Sequence, residues 1–147
     1  MEIRELTKDD VASLIELYVQ LDEKSKTLTC ETSRAVWENS IENNRNIIYY
    51  GAVENGQVVS TCYCAIIPNL TNNGKSICFV ENVVMHKDFR KRGLAKQVIQ
   101  KAIDTARERN CYKVILMSNC ARTEAHQFYE HLGFRSDTKK AFDLRLS

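Results

Sequence analysis

The sequence predicts an α/β protein, one mixed sheet flanked by helices, and its 147 residues make a single domain over 1–147 the expectation. Three observations carry that reading. Phe79-Val80-Glu81-Asn82-Val83-Val84-Met85 is a short, mostly apolar run rich in β-branched residues, the composition of a largely buried strand. Soon after it, Leu94, Val98, Ala102 and Ala106 recur every fourth residue with Ala95, Ile99 and Ile103 beside them, which lays one apolar stripe along a helix. Upstream, Asn55-Gly56 separates two β-rich runs, and both residues tolerate the positive φ of a tight hairpin turn.

The elements follow in order. Met1 to Leu6 alternates apolar and polar residues and reads as a first strand. Thr7-Lys8-Asp9-Asp10 opens a helix, with Asp10 three residues after Thr7 as in a capping box, and Val11, Leu14, Ile15, Tyr18 and Leu21 mark its inner face. Asp22 to Glu31 is polar and broken. A second helix is predicted from about Thr32 to Asn43, with Val36, Trp37 and Ile41 on one side. Asn46–Glu54, Gln57–Ile67 and the Phe79 strand form an antiparallel meander, with Pro68 to Lys75 as a longer loop. The striped helix ends near Arg109-Asn110, and Tyr112 to Met117 is another buried strand. Arg122 to Leu132 reads as a helix stopped by Gly133, and Phe134–Ser136 with Ala141–Leu146 is expected to form a closing hairpin. No internal repeat, low-complexity segment or linker interrupts this series.

Composition narrows the partners. Hydrophobic residues make up 44% and charged residues 27%, ordinary for a soluble globular protein. A net charge of +2 argues against nucleic acid or an anionic membrane, and the clustering of basic residues favours a small anionic ligand. No run approaches the length of a membrane span, and the first residues lack a signal peptide's apolar region. The six cysteines contain no Cys-x-x-Cys pair, so they read as free, mostly buried thiols of a cytoplasmic protein with no metal site.

Between the Phe79 strand and the striped helix lies Arg90-Lys91-Arg92-Gly93-Leu94-Ala95-Lys96. A basic run with one glycine is in most proteins a solvated turn. Here a buried strand precedes it and an amphipathic helix follows. A helix start presents unpaired N–H groups and a positive partial charge, which suit a phosphate and disfavour cations. Four cations at such an end point to an anion that offsets them. The run lacks the ending of a Walker loop and the three glycines of a dinucleotide fingerprint.

Strand, Arg-x-x-Gly-x-Ala and helix together resemble the acetyl-CoA-binding motif of the GNAT N-acetyltransferase family. Ala125-His126-Gln127-Phe128-Tyr129-Glu130-His131-Leu132-Gly133-Phe134 is similar to a second segment of that family, in the same order and at a similar spacing. The resemblance covers nearly the whole chain. It implies the GNAT fold: a mixed, mostly antiparallel sheet in which the Phe79 and Tyr112 strands run parallel and splay apart at one end. It also implies acetyl-CoA as the acetyl donor. The pantetheine arm would pair with the backbone of Val83, Val84 and Met85, and the pyrophosphate would sit on Arg90, Lys91, Arg92, Gly93, Leu94, Ala95 and Lys96. Asn119 and Phe128 would add cofactor contacts. The family often has Asn where Arg122 stands; Asn119 or Arg122 would take that part.

Acetyl transfer to an amine requires a neutral amine, a polarised carbonyl and a stabilised leaving thiolate. An alkyl ammonium with a pKa of about 10.4 is scarcely deprotonated at neutral pH. Glu81 is the first candidate for accepting that proton, because a carboxylate inside an apolar strand is unexpected and the family often carries Glu there. Direct abstraction by an ordinary carboxylate is uphill by about 6 pH units, so a water relay or a raised pKa is needed. The alternative is an outward-facing or purely structural Glu81. Tyr129 aligns with the tyrosine that many members use to protonate, or hydrogen-bond, the departing CoA thiolate; the alternative is a core aromatic. The oxyanion donor is expected among the backbone amides of Val84 and Met85. His86 reads as a surface turn residue, His126 and His131 as solvated helix residues, and Cys120 has no evident base beside it.

The acceptor is expected to be a small polar molecule with a primary amine. Asn110 to Leu116 and Glu81-Asn82-Val83-Val84 resemble glucosamine-6-phosphate N-acetyltransferases, which usually have Asp where Asn82 stands. The other readings are acetylation of a protein N-terminus or lysine, a non-catalytic acyl-CoA sensor, and a nucleotide phosphate-binding protein. Dimers are common in the family, so a homodimer is an open expectation.

Overall fold

Asn55 and Gly56 take φ of 50° and 77°, and the hairpin they close is the centre of the fold. The computed structural model describes residues 1–21 and 28–147, which form two compact units, Met1–Ile115 and Leu116–Ser147. The expected broken segment from Asp22 to Glu31 lies mostly outside the described residues.

In the first unit, strands β1 (Glu2–Glu5), β2 (Ile47–Glu54), β3 (Gln57–Ile67), β4 (Ser76–Met85) and β5 (Cys111–Leu116) form one sheet in the order β1-β2-β3-β4-β5. Successive pairs from β1 to β4 are antiparallel, and β4 and β5 are parallel. Helix α1 (Val11–Leu21) and helix α2 (Cys30–Val36) precede the hairpin. Helix α3 (Leu94–Glu108) provides the crossover from β4 to β5. A parallel pair requires such a crossover, which is why the striped helix stands between these two strands.

The stripe is buried as its spacing demands: Leu94, Val98, Ile99, Ala102 and Ala106 are all inside, and α3 contacts β2, β3 and β4. Cys62, Cys64 and Cys78 are fully buried, and the Cys62 thiol lies 3.8 Å from the Val98 carbonyl oxygen. A second core holds Leu6, Val11, Leu14, Ile15, Leu17, Trp37, Val53 and Val58. Gly51 is required there: a Cβ on it would lie 2.8 Å from a methyl of Leu6 and 3.1 Å from the Ser60 carbonyl oxygen.

Thr7 and Asp10 form the expected capping box around a 3₁₀ turn, Lys8–Asp10, that leads into α1. Asp10 is buried and accepts both arms of the Arg4 guanidinium at 2.8 Å, plus the Thr7 N–H at 2.8 Å. The second helix starts earlier than predicted, at Cys30, because Thr29 caps it by accepting the Thr32 N–H. It ends in a π turn, Trp37–Ile41, and the buried Trp37 begins that widened turn. Within the predicted loop, Asn72, Asn73 and Gly74 form a single left-handed turn with φ of 53°, 59° and 73°. Asn and Gly are the residues that visit this region readily.

In the second unit, helix α4 (Thr123–His131) stops as expected at Gly133, φ 99°. Phe134 N–H reaches the Tyr129 carbonyl and Gly133 N–H the Glu130 carbonyl, the paired bonds of a Schellman motif. The expected closing hairpin does not form. Residues 134–136 and 141–146 carry no strand, and residues 139–147 have no regular element and are exposed. The alternation read as a strand is present; what is missing is a partner strand among the described residues.

The Arg4–Asp10 fork makes folding pH-dependent. Hydrogen bonding from Arg4, against the opposing effect of burial, holds the Asp10 carboxyl below the usual range. Its contribution is therefore full above the unfolded pKa of about 3.9 and is lost as pH falls through the lower folded value. Asp10→Asn should cost about 1.5–3 kcal/mol at neutral pH, as for other hydrogen bonds to charged groups. In thermal melts, the gap between wild type and variant should close as the pH drops below about 4.

Candidate active site

Glu81 stands on β4 opposite Tyr63 of β3, half-buried at the point where the strand pairing changes. Tyr63 pairs with Glu81 and Thr61 with Val84, so Cys62 of β3 faces both Asn82 and Val83 of β4. This is a β-bulge, and Asn82 adopts φ 50° to make it. The bulge moves Val84 onto the face that carries Glu81, where it packs against the α1 core. Ser60 Oγ donates to the Val84 carbonyl at 3.1 Å. Val83 and Met85 are half-buried beside it.

Around Glu81 lies a row of aromatic side chains that reading the sequence did not single out. Tyr63 stacks on Tyr49 with centroids 4.7 Å apart and planes 20° apart, and Tyr49 in turn meets Trp37 at 5.1 Å. Burial, with the Glu81 charge second, raises the Tyr63 pKa, and burial pushes Tyr49 up to about 12. Tyr18 is raised further, again chiefly by burial. Its hydroxyl is buried near the Asn82 side chain, without a hydrogen bond of good geometry. These phenols stay neutral at physiological pH. One signal was available: Tyr49 and Tyr63 occupy same-face positions in two strands joined by a hairpin whose turn is legible.

The basic loop has the predicted form. A 3₁₀ turn, Lys87–Phe89, leaves β4, Lys91 takes φ 64°, and Gly93 at φ 71° is the N-cap of α3 with no side-chain cap. Nothing lies within 4 Å of a Cβ built on Gly93. Gly93 is exposed, and no side chain caps the start of the 15-residue helix. Arg90, Lys91, Arg92 and Lys96 are exposed, Ala95 is half-buried and Leu94 is buried as an anchor. Among the described residues none of these four cations forms an ion pair. His86 differs from expectation: it is 7% exposed, its Nδ1 accepts the Asp88 N–H, and its ring meets Phe89 edge-on at 5.3 Å. The Arg92 guanidinium lies over the Phe89 ring, 4.8 Å from its centroid. His86 thus fastens the loop from below.

Asn119, Phe128 and Tyr129 lie in the second unit. Asn119 Oδ1 accepts the Ala121 N–H and its carbonyl accepts the Arg122 N–H, so it shapes the approach to α4. Arg122 is exposed. His126 is half-buried, with Nε2 2.8 Å from the Asn119 carbonyl oxygen, and the exposed His131 bonds the Gln127 carbonyl. Tyr129 is 8% exposed, between the rings of Phe128 at 5.3 Å and Phe134 at 6.2 Å. Cys120 is exposed. Among the described residues no cluster of His, Cys, Asp and Glu is placed to hold a metal, and no helix is long and apolar enough to cross a membrane.

A crossover helix with an open, uncapped start, following a bulged strand in a mixed sheet, is the architecture of an acyl-CoA-dependent transferase. Residues 11–134 match the model of the acetyltransferase (GNAT) family, and the chain belongs to that family. It is 28% identical over 142 residues to glucosamine 6-phosphate N-acetyltransferase of Trypanosoma brucei brucei, covering 95% of this chain and 92% of the relative. A solved structure of a proposed acetyltransferase from Agrobacterium tumefaciens str. C58 superposes with TM-score 0.91 at 34% identity, over 99% of both chains. The glucosamine-6-phosphate N-acetyltransferase of Arabidopsis thaliana superposes with TM-score 0.85 at 25% identity, over 97% of both. The protein is an acetyl-CoA-dependent N-acetyltransferase. The open space at Gly93 and the unpaired cations beside it fit the pyrophosphate of that donor.

The bulge depends on a residue that tolerates positive φ. Asn82→Val should destabilise the fold by about 1–2 kcal/mol, since a β-branched residue is costly in this region. Asn82→Gly should lie within about 1 kcal/mol of wild type. Urea unfolding of the two variants measures the difference.

Proposed function

We propose that the chain transfers the acetyl group of acetyl-CoA to the primary amine of a small polar molecule, directly, with both substrates bound at once. The observation that carries this reading is the placement of Glu81 at the bulge of β4, beside neutral aromatic side chains, on the strand that leads into the basic loop. The stacked Tyr63 and Tyr49 rings form a surface for an amine-bearing molecule, with the Glu81 carboxylate to attract its ammonium group. Two relatives named for glucosamine 6-phosphate support an amino sugar phosphate as the first acceptor to try. On this reading the reaction runs in the cytoplasm.

In this mechanism the backbone of Val83, Val84 and Met85 aligns the pantetheine arm. The amides and cations from Arg90 to Lys96 hold the pyrophosphate, and Asn119 and Phe128 complete the donor site. Glu81 accepts, through water, the proton that the amine must lose. The amine nitrogen then forms its bond to the acetyl carbon, an amide near Val84 or Met85 steadies the oxyanion, and the carbon–sulfur bond breaks. Tyr129 hydrogen-bonds or protonates the departing thiolate. The balance is one amide and one CoA thiol from one amine and one thioester.

The decisive experiment is acetyl-CoA binding by calorimetry, followed by thiol release against amino sugars, amino sugar phosphates, polyamines, amino acids and short peptides. Release confined to the small polar amines is expected. Release only with peptides would replace the acceptor class, and no release from a chain that binds acetyl-CoA would remove the catalytic reading. Gly93→Val should weaken CoA binding by about tenfold or more, a loss of about 1.4 kcal/mol. Unchanged affinity in the folded variant would remove the cradle.

The two proton-handling residues separate in kinetics. Tyr129→Phe should lower kcat by about 10²-fold, in the range of general acid–base effects, and leave acetyl-CoA affinity unchanged. Glu81→Gln should lower kcat/KM most at low pH, with the gap narrowing as pH rises toward the acceptor's own pKa. A pH profile parallel to wild type would make Glu81 structural.

A further inference from the structure

Two polar groups meet at the bulge of β4, and neither is called for by packing or backbone alone. Tyr18 of α1 and Val84 of β4 pack against the same core cluster of Leu14, Ile15 and Trp37. The Tyr18 hydroxyl is buried, and among the described residues it has no hydrogen bond of good geometry. Phenylalanine would fill the same space without a polar atom to desolvate. Asn82 is exposed at φ 50°. Glycine takes that angle with no side chain at all.

The group beside the Tyr18 hydroxyl is the Asn82 carboxamide. Burial has the largest effect on the phenol and raises its pKa; the Asn82 contact opposes it, as an N–H aimed at the phenol oxygen does. The Asn82 NH2 therefore faces Tyr18. The two ends of a carboxamide are opposed, so Oδ1 is left at the exposed end, one residue from Glu81.

We infer that Tyr18 is a positioning residue for acetyl transfer: its hydroxyl oxygen takes an N–H of the Asn82 carboxamide and so turns Asn82 Oδ1 outward, where it accepts an N–H of the acceptor amine beside Glu81. The inference rests on the proposed binding of that amine at Glu81. In the free protein the bond from Asn82 to Tyr18 is poorly aligned. It tightens when the amine engages the other end of the amide, because hydrogen bonds in a chain polarise one another. A neutral carbonyl oxygen orients the nitrogen without adding a second negative charge, which would hold the amine as an ammonium. With one N–H held by Asn82 and another proton drawn off toward Glu81, the nitrogen lone pair has a defined direction.

A double-mutant cycle tests it with the amine that the wild type acetylates fastest. Tyr18→Phe should lower kcat/KM for the amine about tenfold. Its acetyl-CoA affinity by calorimetry should be unchanged, and its urea midpoint no lower than that of the wild type. Asn82→Gly keeps the backbone angle, removes the carboxamide and should lose as much activity. The double variant should lose no more than Asn82→Gly alone, since one interaction is then removed twice. Multiplied losses, full activity in Tyr18→Phe, or a Tyr18→Phe fold weak enough to account for its loss would each overturn the inference. A second measurement needs no turnover: the Asn82 side-chain amide pair in a proton–nitrogen correlation spectrum, assigned by its absence in Asn82→Gly. Tyr18→Phe should shift that pair and lower its heteronuclear NOE, as for a released carboxamide, and an unchanged pair would overturn the inference. A wild type that acetylates no amine would instead sink the acceptor reading, and the Asn82 amide pair would still decide whether Tyr18 holds it.

Discussion

The bulge at Asn82 is the constraint on which the site depends. With strict alternation, Glu81, Val83 and Met85 would share one face of β4, and Asn82 and Val84 the other. The extra residue changes that assignment. Glu81 stays opposite Tyr63, Val84 joins it on the α1 face, and Met85 pairs with Ser60 on the next position of β3. The strand that enters the basic loop therefore leaves the sheet in a different phase from the one in which it began. A bulge also leaves a residue outside the regular ladder, which frees backbone groups in mid-sheet. The polar pair Glu81-Asn82 in an apolar strand thus has two separate parts. Asn82 supplies the backbone angle, and Glu81 lies half-buried opposite Tyr63.

The basic loop is held in its costly arrangement from beneath. Cations near a helix N-terminus oppose the helix dipole, and here four of them are exposed without an acidic partner among the described residues. Three features fix the loop in spite of that: the buried His86, the edge-on contact of its ring with Phe89, and Arg92 spread over the Phe89 ring. Arg92 gains a contact for its guanidinium face, so its charge is positioned before any anion arrives. Leu94, packed into the core, sets where the helix starts. Preorganisation of this kind removes part of the ordering cost that binding would otherwise carry.

Much of this was legible in the sequence where the cause is local. The Asn55-Gly56 turn, the Thr7–Asp10 capping box, the stripe of α3 and the Gly133 stop each depend on a few neighbouring residues, and each forms as read. The basic loop and its glycine were legible for the same reason. What failed depends on distant partners. His86 looked like a surface residue because its burial depends on residues distant in sequence: it lies beside Leu17 of α1 and Val58 of β3, and its backbone N–H donates to the Val59 carbonyl. The aromatic row of Trp37, Tyr49 and Tyr63 joins a helix end to two strands, and neither α-helical nor strand periodicity marks such a set. The closing hairpin was read from a real alternation in residues 141–146, but a period-2 pattern says only that the residues suit a strand, not that a neighbour pairs with it.

The proposed chemistry also has a tension that the aromatic row resolves. A carboxylate beside an ammonium stabilises the charged amine, and a charged amine cannot attack a carbonyl. In water the ion pair would persist, since both ions are well solvated there. Among half-buried neutral phenols the comparison changes. Tyr49 and Tyr63 hold their protons more tightly than in water, chiefly because the surroundings penalise charge, and the same penalty falls on both members of the ion pair. A neutral amine with a protonated carboxyl carries no such cost, so desolvation favours moving the proton away from the nitrogen. On this argument the Glu81 of the proposed mechanism draws the acceptor in, and the surrounding aromatic side chains favour relay of the amine's proton away from the nitrogen through the bound water. The neutral aromatic surroundings act on that proton without any of the phenols having to ionise.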